Sequence, residues 1–222
     1  MWTRIAAVFF LATISQAAVG APRGCPGWGR TTTPAPHPWP GGAESHPALI
    51  AKLPQATDVL LLGDSHVAIW PADLWHPLRS FNAGYGGDWI ENLLWRLHAP
   101  EWRSITPRNV VVSIGTNNLA RGDCAFAIIE GITTVLRRVR TLWPETRVFY
   151  LGIPMRAPQG SLRTAERVAI NATLRRGLIA TLVDPDPVLK CAGCFESAEI
   201  VHLSGEGYVA LTTAVRPLIK GP

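Results

Sequence analysis

The chain has 222 residues, a formal net charge of +5, 47% hydrophobic and 17% charged residues. That length fits one domain of about 150 to 250 residues around a single α/β core. Beyond the N-terminus no segment is long and apolar enough to cross a bilayer. The positive charge, carried mainly by arginine, comes without any nucleic-acid-reading motif and is taken as solvated basic surface.

Residues 1–20, MWTRIAAVFFLATISQAAVG, place Arg4 before an apolar run from Ile5 to Ile14 and small residues around Ala17 and Gly20. This is the pattern of a secretory signal peptide, and the run is shorter than the roughly 20 residues of a membrane span. It predicts a secreted or periplasmic protein without stable membrane insertion. Residues 21–45 are dense in Pro, Gly and Thr without helical or strand period. They are expected to form a linker or extended arm, disordered to about Ala43. Residues 46–222 make up the folded domain. Cys25, Cys124, Cys191 and Cys194 give an even count in an oxidising compartment, which predicts disulfides of unreadable connectivity. The C-x-x-C spacing of Cys191 and Cys194 is read as a structural disulfide, because neither a second such pair nor a βαβ redox context accompanies it.

From Ala56 onward, short β-type runs at residues 59–63, 79–83, 110–115, 147–152 and 180–184 alternate with longer segments. Those at 88–98, 123–143 and 162–179 carry apolar residues at about 3.6 spacing. The alternation predicts an α/β fold with a parallel sheet covered on both faces, whose ligands gather at the carboxyl ends of its strands.

Four segments should converge there: Gly63-Asp64-Ser65-His66, Asn82 to Asp88, Gly115-Thr116-Asn117-Asn118, and Glu199 to Leu203 before a last helix near Ser204. Together they supply the parts of acyl transfer. A serine hydroxyl needs a histidine to accept its proton, and the histidine needs a partner that fixes its tautomer. Ser65, His202 and Glu199 can fill those roles. A developing oxyanion needs fixed donors, for which the Ser65 amide, Gly87 and Asn117 are the candidates. Neither a metal nor a cofactor is required. G-x-S-x-G is absent, so the α/β-hydrolase elbow is not indicated.

These four blocks, in this order and spacing, resemble the SGNH (GDSL) hydrolase family. Ser65, Gly87, Asn117 and His202 match its four letters as nucleophile, two oxyanion donors and general base. NAGYGGDWIENLLWRL, VVVSIGTNN and VHLSGEGY are most similar, within it, to the catalytic subunits of intracellular platelet-activating-factor acetylhydrolase. The resemblance implies a three-layer α/β/α, flavodoxin-like fold with a five-stranded parallel sheet and metal-free hydrolysis of short-acyl esters. Two positions depart from the family pattern. Glu199 stands where aspartate is usual, and His66 where the motif has leucine.

The remaining residues are read as follows. Asp64 organises the turn or caps a helix. His46, His66, His76 and His98 take surface or structural roles. Trp70, Trp75 and Trp89 are core residues first and an aromatic wall for a sugar ring or acyl pocket second. Asn171-Ala172-Thr173 is a glycosylation sequon. The expected function is a serine esterase acting on short acyl, above all acetyl, esters of a small-molecule, polysaccharide or lipid-like substrate. The competing readings are an acyltransferase using the same site and a non-catalytic carbohydrate-binding module. A nucleotide- or flavin-binding protein would need G-x-G-x-x-G, which Gly84 to Gly87 lack.

Overall fold

A computed structural model of the chain describes residues 22–39, 45–156, 163–177, 179–196 and 201–219. The signal-like segment and Glu199 lie outside the described residues. The strands are β1 (Ala56–Gly63), β2 (Ser80–Gly84), β3 (Thr106–Ser113), β4 (Arg147–Leu151) and β5 (Thr181–Val183). They pair in parallel in the order β2-β1-β3-β4-β5. The helices are α1 (Ser45–Ile50), α2 (Ser65–Ala68), α3 (Ile90–Arg96), α4 (Thr116–Arg121), α5 (Ala125–Leu142), α6 (Thr164–Gly177) and α7 (Gly205–Val215).

β1 reads ATDVLLLG because a central parallel strand is covered on both faces and has no solvated side to alternate with. Leu60 and Leu62 join Val110, Val112, Val148 and Tyr150 under α3, α5 and α6. Val59 and Leu61 join Val111, Phe149, Val67, Trp75, Tyr208 and Leu211 on the other face, under α7. The result is the expected three-layer sandwich. Strand pairing sets Gly63 beside Gly84 and Ser113, so the turns after β1, β2 and β3 open on one edge.

The arm differs from the expectation of disorder, since residues 22–39 pack against the domain. Cys25 is bonded to Cys124 at the start of α5. Thr31 is fully buried, and its Oγ1 donates to the Ala127 carbonyl at 2.7 Å. Ala35 N donates to the Glu91 carbonyl (3.1 Å), while Asn92 Nδ2 donates to the Ala35 and Pro36 carbonyls. These bonds join side chains and irregular backbone, so no hydrophobic period accompanies them. Cys191 and Cys194 form a second disulfide.

Arg137, Arg175 and Arg176 are exposed, as a solvated surface requires, but three other arginines depart from that reading. Arg167 is buried against Asp186 (2.7 Å), and Arg138 and Arg140 donate to backbone carbonyls. Asn171 is buried with both amide atoms bonded to Ile153, so its sequon is closed to glycosylation in the folded chain. Trp70 and Trp75 are core residues, whereas Trp89 is half-buried.

Candidate active site

Gly63 ends β1 where nothing larger fits, because a methyl group there would lie 1.9 Å from the Ser113 carbonyl oxygen. Asp64 then caps α2, its side chain accepting from His66 N at 3.0 Å. Ser65 follows as the first helical residue, half-buried, at the end of a strand held on both edges.

His202 reaches it from the opposite end of the chain. The segment before α7 folds back on itself: Phe195 and Leu203 form an antiparallel bridge, Glu196 N donates to His202 O (3.1 Å), and Ser204 N donates to Cys194 O (3.0 Å). The Cys191–Cys194 disulfide closes the turn beneath this strap. His202 Nε2 then stands 3.1 Å from Ser65 Oγ, within reach of its proton. Two acids that follow β5 are engaged elsewhere, Asp184 with Arg175 and Asp186 with Arg167.

His66 is buried between these two loops. Its Nδ1 lies 3.2 Å from Asp64 Oδ1 and its Nε2 3.0 Å from the Val201 carbonyl oxygen, one residue before His202. The position assigned from sequence to a surface or structural role thus ties the nucleophile turn to the base-bearing strap.

Just beyond the end of β3, Asn117 lies in the first turn of α4, which Gly115 enters in a left-handed conformation (φ 117°). One Asn117 Nδ2 hydrogen goes to the Asp88 carbonyl at 2.9 Å. A carboxamide nitrogen has two donors, so that bond aims the other. Gly87 is also left-handed (φ 79°), which turns its amide out of the β2 direction. Asn118, next in sequence, is fully buried and holds Ile90 N, Glu91 and Asp123, a framework role.

Arg96 was not singled out from sequence. It is buried, and it donates to Asp88 Oδ2 (2.6 and 2.9 Å), the Ala83 carbonyl (2.9 Å) and the Gly63 carbonyl (3.2 Å). It therefore fastens the ends of β1 and β2 to the Gly87-Asp88 turn. Burial raises the Asp88 carboxyl above its ordinary pKa, and Arg96 opposes that rise. The signal in the sequence is a guanidinium on the buried side of α3, between Leu93 and Leu97.

Gathered on one edge are a hydroxyl, an imidazole in contact with it, and two donor groups on rigid turns. No group of His, Cys, Asp or Glu among the described residues is arranged to hold a metal.

Comparison with known proteins agrees with this chemistry. The model of the GDSL-like lipase/acylhydrolase family matches residues 27–210. The alpha2 subunits of platelet-activating factor acetylhydrolase IB from Bos taurus and Homo sapiens are 30% identical over 179 residues, covering 73% of this chain and 76% of theirs. A GDSL-like lipase from Bacteroides thetaiotaomicron superposes with a TM-score of 0.64 at 16% identity, over 79% of this chain and 96% of that one. An acetyl-xylooligosaccharide esterase from Geobacillus superposes at 0.60 and 14% identity, over 76% of this chain and 95% of that one.

Proposed function

The chain belongs to the GDSL-like lipase and acylhydrolase family, and from that premise we propose that it is a secreted esterase releasing short acyl groups, above all acetyl, from a carbohydrate or lipid-like ester. Membership makes it a serine-type ester hydrolase. The observation that carries the assignment of residues is the 3.1 Å contact between Ser65 Oγ and His202 Nε2.

In this reading Ser65 Oγ attacks the ester carbonyl as His202 Nε2 takes its proton. The oxyanion is met by the Ser65 and Gly87 amides and the free Asn117 Nδ2 hydrogen. His202 then gives the proton to the departing alcohol, leaving an acyl group on Ser65. Water repeats the sequence and releases the acid. Glu199, three residues before His202, would hold the imidazole in the tautomer with a bare Nε2.

Acetyl is favoured by two likenesses: relatives named for acetyl hydrolysis and a structural neighbour named for acetylated xylo-oligosaccharides. Export is supported by the signal-like N-terminus and the two disulfides, bonds that persist outside reducing compartments. The test is hydrolysis of p-nitrophenyl esters of two to twelve carbons and of acetylated xylo-oligosaccharide, beside Ser65→Ala. Activity should be highest on the acetyl esters, and the folded variant should lose at least about 1,000-fold in kcat. Turnover near wild type in that variant would remove Ser65 from the role.

A further inference from the structure

Trp39 is 57% exposed, yet its position is fixed from below. A methyl group on Gly87 would lie 2.5 Å from Trp39 Cζ3, 2.8 Å from its Cη2 and 3.4 Å from His37 Nε2. The indole edge and the imidazole therefore rest directly on the glycine assigned to the oxyanion. His37 is 7% exposed, sandwiched edge-on between Trp39 (4.8 Å between centroids) and Tyr85 (5.4 Å) and parallel to Trp89 (6.2 Å). Behind it, Arg121 lies 4.3 Å from the Trp89 ring. The chain that delivers both residues is the arm, anchored by the Cys25–Cys124 disulfide and by Asn92.

His37 Nδ1 accepts from Trp39 N at 3.3 Å, so the neutral ring carries its proton on Nε2. That donor is buried beside Gly87 and has no partner among the described residues. A buried donor without an acceptor is costly, and an acceptor arriving with a ligand removes the cost. A purely aliphatic acyl chain would leave it open. A pyranose ring offers both complements: a C–H face for the exposed indole and oxygens for the N–H.

We propose that the N-terminal arm forms the sugar-binding subsite of this esterase, with the Trp39 ring as the platform on which a pyranose of the esterified carbohydrate stacks and His37 Nε2 as a donor to one of its oxygens. The inference rests on the esterase reading and narrows its substrate from a carbohydrate or lipid-like ester to a glycan ester. It also makes a segment outside the sheet, rather than a strand-end turn, the part that tells one acetyl ester from another.

The test compares wild type, Trp39→Ala and Trp39→Phe on acetylated xylo-oligosaccharide and on p-nitrophenyl acetate, which has no pyranose. Losing one stacking contact should raise KM for the oligosaccharide by about tenfold in Trp39→Ala with a smaller change in kcat, and the shift on p-nitrophenyl acetate should be several-fold less. Trp39→Phe should recover part of the loss. Separately, titration calorimetry of unacetylated xylohexaose into the Ser65→Ala protein reads sugar binding without turnover, and adding Trp39→Ala should weaken it by a similar factor. An equal loss on both esters, a changed acyl-length preference in Trp39→Ala, or no binding of xylohexaose would overturn the subsite. Failure of wild type to hydrolyse p-nitrophenyl acetate would overturn the esterase reading instead, with the calorimetry still reporting on Trp39.

Discussion

His66 faces two oxygens that can only accept, a carboxylate at Nδ1 and a backbone carbonyl at Nε2. Both bonds form together only if both ring nitrogens carry hydrogen, which makes the ring an imidazolium. Burial opposes that charge, but the Asp64 carboxylate, by hydrogen bond and by attraction, outweighs it and lifts the pKa above the ordinary histidine value. The charged form is thus favoured by folding. Its stabilisation is complete below the unfolded pKa of about 6.5 and fades as pH rises through the higher folded value. The stability gap between wild type and His66→Leu, from urea unfolding between pH 5 and 9, should accordingly be widest in acid. The same variant should lower kcat by about tenfold or less, since it loosens the residue before His202 without touching the reacting atoms; a gap independent of pH would show the ring to be neutral. Asn117→Ala should lose about 100- to 1,000-fold in kcat with KM changed less, because its free hydrogen meets charge that develops only in the transition state. Steady-state kinetics on an acetyl ester separate the two constants. Glu199→Ala should lower kcat less than Ser65→Ala does, while Asp184→Ala, which breaks a half-exposed pair with Arg175, should leave kcat within about threefold.

The turns that follow β1 and β3 were legible in the sequence because each is a glycine and a short polar residue set behind an aliphatic run, a change of character at a fixed place, and the turn after β2 by its run of glycines. Arg96 was not, since a guanidinium inside an amphipathic helix reads as solvated until its three acceptors are seen to lie beneath it. The arm was misread for a related reason. Proline and glycine signal the lack of a repeating backbone, and that is compatible with either disorder or an irregular strand pinned by side chains. What pins it includes a complementary hollow. Gly131 of α5 faces Thr31, and a methyl group at Gly131 would come 2.7 Å from Thr31 Cβ and 3.0 Å from its carbonyl oxygen. Alanine is the better helix former by up to about 1 kcal/mol, but crowding of this kind costs about 1 to 3 kcal/mol. Gly131→Ala should therefore be destabilising on balance and should speed proteolysis of the arm, read by thermal unfolding and by limited digestion. A stabilised, equally resistant variant would show that the arm does not depend on this contact.

Across the whole molecule the two ends of the sheet are built differently. The carboxyl end carries the candidate site, and the other end opens a cleft of about 540 Å³ between Ala56, Thr106 and Trp143, rimmed by Arg79, Arg103 and Arg108. Two of those arginines neutralise Asp58, so the rim is an ion-pair cluster more than an open basic face. The arm belongs to the carboxyl end, where the Cys25–Cys124 bond closes a separation of 99 residues. Crosslinks over long loops contribute about 2 to 4 kcal/mol. The double substitution Cys25→Ser, Cys124→Ser should lose about that much in guanidinium unfolding while retaining acetyl-ester turnover, because neither cysteine touches Ser65 or His202. Loss of turnover in the folded double variant would mean that the arm supports the chemistry itself. The same bond also sets an order of events during synthesis. A ribosome adding about 5 to 20 residues per second spends several seconds between Cys25 and Cys124, and through that interval the first thiol has no mate in its own chain. Cys191 and Cys194 emerge later still, in immediate reach of each other. The sequence order thus offers Cys25 its native mate before either of the other two cysteines.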